Sequence, residues 1–322
     1  MFRYIVRRIL YLFPMLLGIS SLSFFIMQLA PGDALTTMAL SPDISDEIMN
    51  AMKARFWLDL PPHMQYVRWI QQLFSGDMGH SFLWHAPVTW VLKQRIPNSL
   101  LLTVVSTIIG WVVAIPIGIH SAVNQYSWSD KLLTFVAFIG VAVPHWFLGL
   151  LLLYASMTRG WGFPIGGMTS IDFADFTFWE KVVDLGKHMF LPVVVLSTGI
   201  MASLMRYMRS NLLDVLRQDY VTTARAKGLA NRVVIYKHAV RNAINPLITI
   251  FGFQLGGILG GAALTEIVMN WPGIGSLMLS AVRGLDYYLV MGNLIIGGVM
   301  LILGNLVADI LLAASDPRIR YE

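Results

Sequence analysis

The chain has 322 residues, of which 56% are hydrophobic and only 13% charged, and its mean hydropathy is +0.65. An ordinary soluble domain carries about 25% charged residues, so this composition excludes a soluble globular protein and indicates a membrane protein with several spans. The lack of cysteine excludes disulfides, cysteine metal sites and a cysteine nucleophile. The net charge of +5 comes without a basic stripe interleaved with aromatic residues, so no nucleic-acid partner is expected.

Six stretches of the sequence are apolar over the roughly 20 residues that a membrane-spanning helix needs. We therefore predict an all-α protein with about six transmembrane helices, at residues 9–29, 99–119, 132–156, 189–205, 247–269 and 288–314. The first stretch is longer than the apolar part of a secretory signal and has no small-residue cleavage site after it, so we expect it to be retained. Prolines lie inside or beside most of the stretches, where we expect kinks.

The distribution of Lys and Arg predicts the orientation of the chain. Fourteen of the 23 lie in the two termini and in the loops after the second and fourth spans, and nine lie on the other side. Positive residues collect in cytoplasmic loops, so we expect both termini in the cytoplasm. The chain then divides into a first segment and span (1–30), an external or periplasmic loop (31–98) and a core of five spans (99–322) with a cytoplasmic loop at 206–244.

The external loop is expected to be partly helical. Residues 41–57 carry acidic residues early and Lys53 and Arg55 late, which suits a helix dipole. Residues 61–74 are amphipathic and begin with proline, a residue favoured at the first helical position. The sequence therefore predicts two short helices in this loop.

The loop between the fourth and fifth spans contains a short basic helix. Asp219 is a residue type that caps helix N-termini, the helix is predicted at 220–227, and Gly228 is expected to end it in the left-handed conformation. Ala224 and Ala226 keep the helix thin. Two interpretations remain open: the helix lies on anionic lipid at the membrane surface, or it inserts into a groove on a partner protein.

The sequence of this loop resembles that of a transporter family. Residues 219–229 read Asp-Tyr-Val-Thr-Thr-Ala-Arg-Ala-Lys-Gly-Leu, and 238–246 read His-Ala-Val-Arg-Asn-Ala-Ile-Asn-Pro. This is similar to the signature loop of binding-protein-dependent ABC importer permeases, within the dipeptide, oligopeptide and nickel permease family. Thr222-Thr223-Ala224 stands where the wider superfamily has Glu-Ala-Ala, and Gly228 matches its glycine.

The resemblance covers nearly the whole chain. Further matching motifs are Ala-Pro-Gly-Asp at 30–33, Gly-Asp-Met-Gly-His-Ser at 76–81, Arg-Ile-Pro-Asn-Ser-Leu at 95–100, Pro-His-Trp-Phe-Leu-Gly at 144–149, Glu-Ile-Val-Met-Asn-Trp-Pro-Gly-Ile-Gly at 266–275 and Asp-Pro-Arg-Ile-Arg-Tyr at 316–321. Two positions depart from the family pattern, where Trp57 replaces glycine and Met269 replaces phenylalanine. Both departures bear on substrate type more than on transport.

The resemblance implies a type I ABC importer permease fold and the role of the membrane permease subunit of an ATP-driven importer, for peptides. Nickel chelates and oligosaccharides remain alternative substrates. The implied partners are a second homologous permease, two ABC ATPase subunits, an external substrate-binding protein and the lipid of a bacterial or archaeal inner membrane. The implied ATPase-coupling residues are Asp219, Tyr220, Thr222, Thr223, Ala224, Arg225, Ala226, Lys227 and Gly228.

No enzymatic role is expected for this chain. It has no Walker A sequence, so ATP and Mg would bind to the separate ATPase subunits, and no cofactor, metal site or catalytic residue is predicted here. A membrane-embedded enzyme would need a convergent set of catalytic groups, which the sequence lacks. A secondary transporter or channel is the alternative from another class, and it would need charges near the membrane midplane, where the spans carry almost none.

The fifth predicted span carries two further features. Gly252, Gly256 and Gly260 recur at i, i+4 spacing, which favours close packing against another helix. Lining of the transport path is the alternative role for these glycines. Glu266, near the external end of the same span, is expected to face the vestibule.

Overall fold

The computed structural model describes residues 2–29, 47, 50, 53–54, 56–257 and 262–315. The described part is largely helical, and its α-helices are α1 (Phe2–Gln28), α2 (Pro62–Phe74), α3 (Val88–Val123), α4 (Trp128–Ala142), α5 (His145–Arg159), α6 (Phe178–Leu216), α7 (Asp219–Ala226), α8 (Asn231–Val233), α9 (Arg241–Ala243), α10 (Asn245–Gly256), α11 (Ala263–Val268), α12 (Ile274–Arg283) and α13 (Tyr287–Ser315). A 3-10 helix covers Ile171–Asp175, and a π-helix covers Val234–Val240 between α8 and α9. Strands β1 (His80–Ser81) and β2 (Ala86–Pro87) form an antiparallel hairpin.

Within the described ranges, four helices are long and apolar enough to cross a membrane: α1, α3, α6 and α13. They correspond to the first, second, fourth and sixth predicted spans. The fourth was predicted at only 189–205, but α6 has 39 residues, because its polar ends continue the helix beyond the apolar stretch. The fifth predicted span, 247–269, contains α10 and α11 and includes residues outside the described part.

The third predicted span is not one straight helix. It consists of α4 and α5, which are bent by 102° relative to each other. Val143 lies between them with φ −84° and ψ +121°, an extended conformation. A residue that precedes proline is disfavoured in the helical region, and Pro144 has no N–H for the helical ladder. These two effects explain why the helix breaks at this point. The observed bend is much sharper than the kink that the sequence predicts.

The second predicted helix of the external loop is confirmed as α2, with proline at its start. Its Trp69 is fully buried and donates from Nε1 to the Met78 carbonyl oxygen at 3.1 Å. Trp69 belongs to a core that joins α2 to α1, the β-hairpin and the start of α13. The first predicted helix, at 41–57, lies mostly outside the described residues.

Helices α3 and α6 pack closely at glycines. A Cβ atom added to Gly118 would lie 2.7 Å from Met208 Cβ and 2.9 Å from the Met205 carbonyl oxygen, both on α6. One added to Gly110 would lie 2.7 Å from Ile200 Cγ2. The absence of a side chain at these positions lets the two backbones approach.

We expect Gly118→Ala to destabilise the protein by about 1–3 kcal/mol, the usual cost of overpacking a well-packed core. Gly186→Ala is the matched control, because a Cβ at Gly186 would meet nothing within 4 Å. Alanine also has a higher helix propensity than glycine. Thermal unfolding of the purified protein in detergent should therefore show a lower midpoint for Gly118→Ala only. Equal midpoints for the two variants would contradict this account of the α3–α6 contact.

Glu266 is buried, with 1% of its surface exposed, so the expectation that it faces a vestibule is wrong. Its carboxylate accepts from Ser99 Oγ at 2.6 Å and from the Gly275 backbone N–H at 2.7 Å. Ser99 Oγ in turn accepts from the Ile274 N–H at 2.7 Å. These bonds fix the loop between α11 and α12 against α3.

Asp286 makes a second buried junction, at the start of α13. It accepts hydrogen bonds from Ser81 Oγ, from the Leu83 N–H at 3.1 Å and from the Leu289 N–H at 3.2 Å. Burial raises the pKa of the Asp286 carboxyl, and the hydrogen bonds oppose that shift. The junction holds the β-hairpin on the end of α13.

Candidate functional site

Helix α7 follows α6 after a two-residue turn. Its N-cap residue is Gln218, which has an extended conformation and makes no capping side-chain bond. The prediction that Asp219 caps the helix is therefore wrong: Asp219 is the first helical residue. A carboxylate in the first turn still stabilises the helix through its dipole. The observed helix, Asp219–Ala226, differs from the predicted 220–227 by one residue at each end.

The end of α7 is confirmed as a glycine-dependent stop. Gly228 has φ +76°, in the left-handed region. The Leu229 N–H donates to the Ala224 carbonyl oxygen at 3.4 Å, and the Gly228 N–H donates to that of Arg225 at 2.9 Å. This pair of bonds is the Schellman motif. A Cβ at Gly228 would meet nothing within 4 Å in this chain, so its conformation, and not lack of space, requires glycine.

One face of α7 is buried in the chain itself. Val221 is 0% and Ala224 6% exposed. They belong to a cluster, here called the α7 cluster, whose other buried members are Ile119, Ala122, Met208, Leu212, Val234, Ala239, Ala243 and Leu247. Full burial of a valine side chain stabilises by roughly 1.5–3 kcal/mol, so this cluster fixes α7 against α3, α6 and the π-helix.

The burial of Ala224 bears on the sequence prediction, which includes this residue among those that contact the ATPase. Ala224 instead packs inside its own chain. Val221, which the predicted residue set omits, is the deepest anchor of the helix. Its spacing of three residues from Ala224 places both on one helical face, and this is the signal that could have identified it.

The opposite face of α7 is exposed. Thr222, Thr223, Arg225, Ala226 and Lys227 all lie on this face or at the end of the helix. In the part of the chain that the structure describes, neither Arg225 nor Lys227 forms an ion pair. The face therefore combines small side chains with two accessible positive charges.

Tyr220 connects α7 to the segment that follows it. Its hydroxyl oxygen accepts a hydrogen bond from Asn242 Nδ2 at 2.9 Å, and Asn242 Nδ2 also donates to the His238 carbonyl oxygen at 3.1 Å. Asn242 and His238 belong to the motif at 238–246. The structure thus brings the two halves of the signature loop together.

An ion pair lies at the same end of the helices. Arg209 of α6 donates from Nε and Nη2 to the two carboxylate oxygens of Asp130, both at 2.8 Å. Asp130 also accepts from Ser121 Oγ of α3 and from the Tyr126 N–H at 2.9 Å. This network, which sequence reasoning missed, ties α3, the start of α4 and α6 together shortly before α7 begins.

The glycine stripe is only partly described. Gly252 is buried in α10, which packs against α13. Gly256 ends α10, and Gly260 lies outside the described residues. The packing role of this stripe stays a prediction.

Comparisons with known proteins agree with this architecture. Residues 1–103 match the family described as "Binding-prot-dependent transport system membrane comp, N-term", and residues 114–321 match "Binding-protein-dependent transport system inner membrane component". A chain of the MetNI methionine ABC transporter, in an inward-facing conformation, superposes with a TM-score of 0.56 at 16% identity. That match covers 71% of this chain and 97% of the other, and it shows a shared fold.

Three relatives are similar along their whole length. The oligopeptide transport system permease protein AppB of Bacillus subtilis is 42% identical, with 99% of each chain covered. The dipeptide permease DppB of Escherichia coli and the glutathione permease GsiC of Salmonella typhimurium are each 34% identical, with 100% of each chain covered. The chain therefore belongs to the family of binding-protein-dependent transport system inner membrane components, as a multi-pass ABC importer permease that is a transport subunit and not an enzyme.

Proposed function

We propose that this chain is one of two permease subunits of an ATP-driven peptide importer, and that α7 is its contact with the ATPase. The substrate class is supported by relatives whose names specify an oligopeptide, a dipeptide and glutathione, which are all peptides. The second permease, identical or different, would complete the transport path. An external binding protein would deliver the substrate.

The observation that carries the coupling role is the two-sided character of α7. Val221 and Ala224 fix the helix to its own chain, while Arg225, Ala226 and Lys227 remain accessible. Cations in such a position suit acidic groups on a partner. The exposed face would serve poorly as a lipid anchor, because the apolar residues Val221 and Ala224 lie on the opposite face of α7, inside the α7 cluster.

Helix α6 supplies the mechanical connection. Its 39 residues span about 58 Å at 1.5 Å per residue, which exceeds the roughly 30 Å hydrocarbon core of a bilayer. The end that leads into α7 would therefore project into the cytoplasm. We propose that closure of the ATPases displaces α7 and tilts α6 with it, as a rigid-body change that alternates access to the path.

The contact and the orientation can be tested with single cysteines, because the natural chain has none. Ala226→Cys lies on the exposed face of α7, and Ser75→Cys, exposed after α2, is the control for the external side. In the assembled transporter, a photoactivatable crosslinker attached to the Ala226→Cys variant is expected to capture the ATPase, and one attached to the Ser75→Cys variant is not. In intact spheroplasts, a membrane-impermeant maleimide is expected to label only the Ser75→Cys variant.

Two outcomes would count against these assignments. Crosslinks from the Ala226→Cys variant to lipid alone would favour the surface-helix interpretation. Labelling from outside of the Ala226→Cys variant but not of the Ser75→Cys variant would reverse the orientation. The substrate class is tested separately: the transporter reconstituted with its own binding protein should take up a labelled peptide when ATP is supplied, and not a nickel chelate or an oligosaccharide.

A further inference from the structure

A small cavity lies beside the first turns of α3, at the end of the helix that we place outside the membrane. Its volume is about 220 Å³. The residues that line it are Trp84, Trp90, Val91, Gln94, Arg95 and Asn98. We call this cavity the Arg95 pocket.

Arg95 supplies the charge of the pocket. Its guanidinium carbon lies 5.0 Å from the ring centroid of Trp84, which is a cation–π contact. The side chain is half-buried, and among the described residues it forms no hydrogen bond or ion pair. A stacked guanidinium keeps its N–H edge available, and that edge matches the two oxygens of a carboxylate.

The wall that carries Trp84 is fixed in place. Trp84 lies in the turn of the β-hairpin, and its backbone N–H donates to Ser81 Oγ at 3.1 Å. Ser81 donates in turn to the buried carboxylate of Asp286. The Asp286 junction therefore fixes the backbone from which the Trp84 indole contacts Arg95.

The floor of the pocket is fixed as well. Asn98 donates from Nδ2 to the Pro272 carbonyl oxygen at 2.9 Å, and its own carbonyl accepts from Trp271 Nε1 at 3.1 Å. Ser99, the next residue, donates a hydrogen bond to the Glu266 carboxylate. Arg95 thus places a positive charge, which has no ion-pair partner among the described residues, in a pocket whose walls are already formed.

We propose that the Arg95 pocket binds the terminal carboxylate of the transported substrate where it enters the permease. The cavity is smaller than the roughly 300–1,000 Å³ of pockets that enclose a whole small ligand, so it suits one end of a longer molecule. Trp84, Trp90 and Val91 offer an apolar surface to the side chain next to that carboxylate. The proposal rests on the proposed function, because a peptide is the substrate that ends in this group.

The test compares two peptides in liposomes that contain the complete transporter, with the binding protein at saturation. One peptide has a free C-terminal carboxylate, and the other is its C-terminal amide. Arg95→Gln removes the charge and retains a polar side chain of similar reach. Lys93→Gln is the matched control, because Lys93 is an exposed cation on the same helix that does not line the pocket.

We expect Arg95→Gln to reduce the ratio of acid to amide uptake by about tenfold, the effect of losing one hydrogen bond to a charged group. Lys93→Gln should leave the ratio unchanged. Any preference of the binding protein for one peptide affects the unaltered transporter and both variants equally, because all three are assayed with the same binding protein. It therefore cancels when their uptake ratios are compared. Peptide uptake by the unaltered transporter establishes the proposed function independently, so its absence would be distinguished from failure of the pocket assignment.

Two results would overturn the proposal. An equal fall in uptake of both peptides, with more binding protein needed for half-maximal ATPase stimulation, would make the pocket a docking surface for that protein. An unchanged ratio and unchanged uptake would make Arg95 and its tryptophans an anchor at the membrane interface, where such residues are common.

Discussion

Replacing Gly228 with valine is expected to lower ATP-driven uptake more than tenfold, with the chain still inserted in the membrane. A left-handed conformation costs an L-amino acid roughly 1–2 kcal/mol, and for a β-branched residue it is a true outlier. Valine at φ +76° would therefore break the bonds that end α7. Arg225 and Lys227 would then lose the position that the proposed contact with the ATPase requires.

Gly228→Asn is the matched control for this prediction, because asparagine tolerates the left-handed region. We expect it to keep uptake within about twofold of the unaltered protein. Uptake, ATPase stimulation by the loaded binding protein, and the amount of permease in the membrane should be measured together. Equal inactivity of both variants would show that the partner requires empty space at this position. Full activity of Gly228→Val would exclude the coupling role of the turn.

Removing the carboxylate of Asp130 is the second change with a large expected effect. The side chains of Arg209 and Asp130 are 24% and 3% exposed, and the pair is bidentate. Asp130→Ala would leave a largely buried guanidinium uncompensated, which costs about 3–5 kcal/mol in comparable pairs. We expect a much lower thermal unfolding midpoint in detergent and little protein accumulating in the membrane.

The double variant Asp130→Leu with Arg209→Met is the control that separates charge from packing. Apolar replacement of a whole buried pair is often neutral, so most of the lost stability should return. If uptake per ATP hydrolysed remains low in the double variant, the pair also transmits motion between α3, α4 and α6. A single Asp130→Ala variant with unchanged stability would show that the network has no structural role.

Local signals in the sequence were sufficient for several elements. Proline at 61–62 with an amphipathic repeat predicts α2, and a basic stretch that ends at Gly228 predicts α7 and its left-handed stop. These features depend on residues within one or two turns of each other. Apolar length likewise predicts the long helices, because it reflects the thickness of the bilayer.

The features that the sequence did not reveal depend on contacts between distant residues. Asp130 and Arg209 are 79 positions apart, and Glu266 bonds to Ser99 across 167 positions. The 102° bend follows from a proline whose position is visible, but its size depends on how α4 and α5 pack on α6. The burial of Ala224 similarly depends on residues from α3, α6 and α10 that meet only in the folded chain.

The anchoring of α7 has a consequence for assembly. A recognition segment that folds only when it meets its partner loses conformational entropy at that moment, and this weakens the association. Val221 and Ala224 are already buried in the isolated chain, so α7 is preorganised and that cost falls on folding of the permease. For the ATPase contact that we propose, affinity should then depend on the few exposed side chains of α7. Under that proposal these side chains could vary, and the ATPase could detach and rebind, without refolding of the membrane domain.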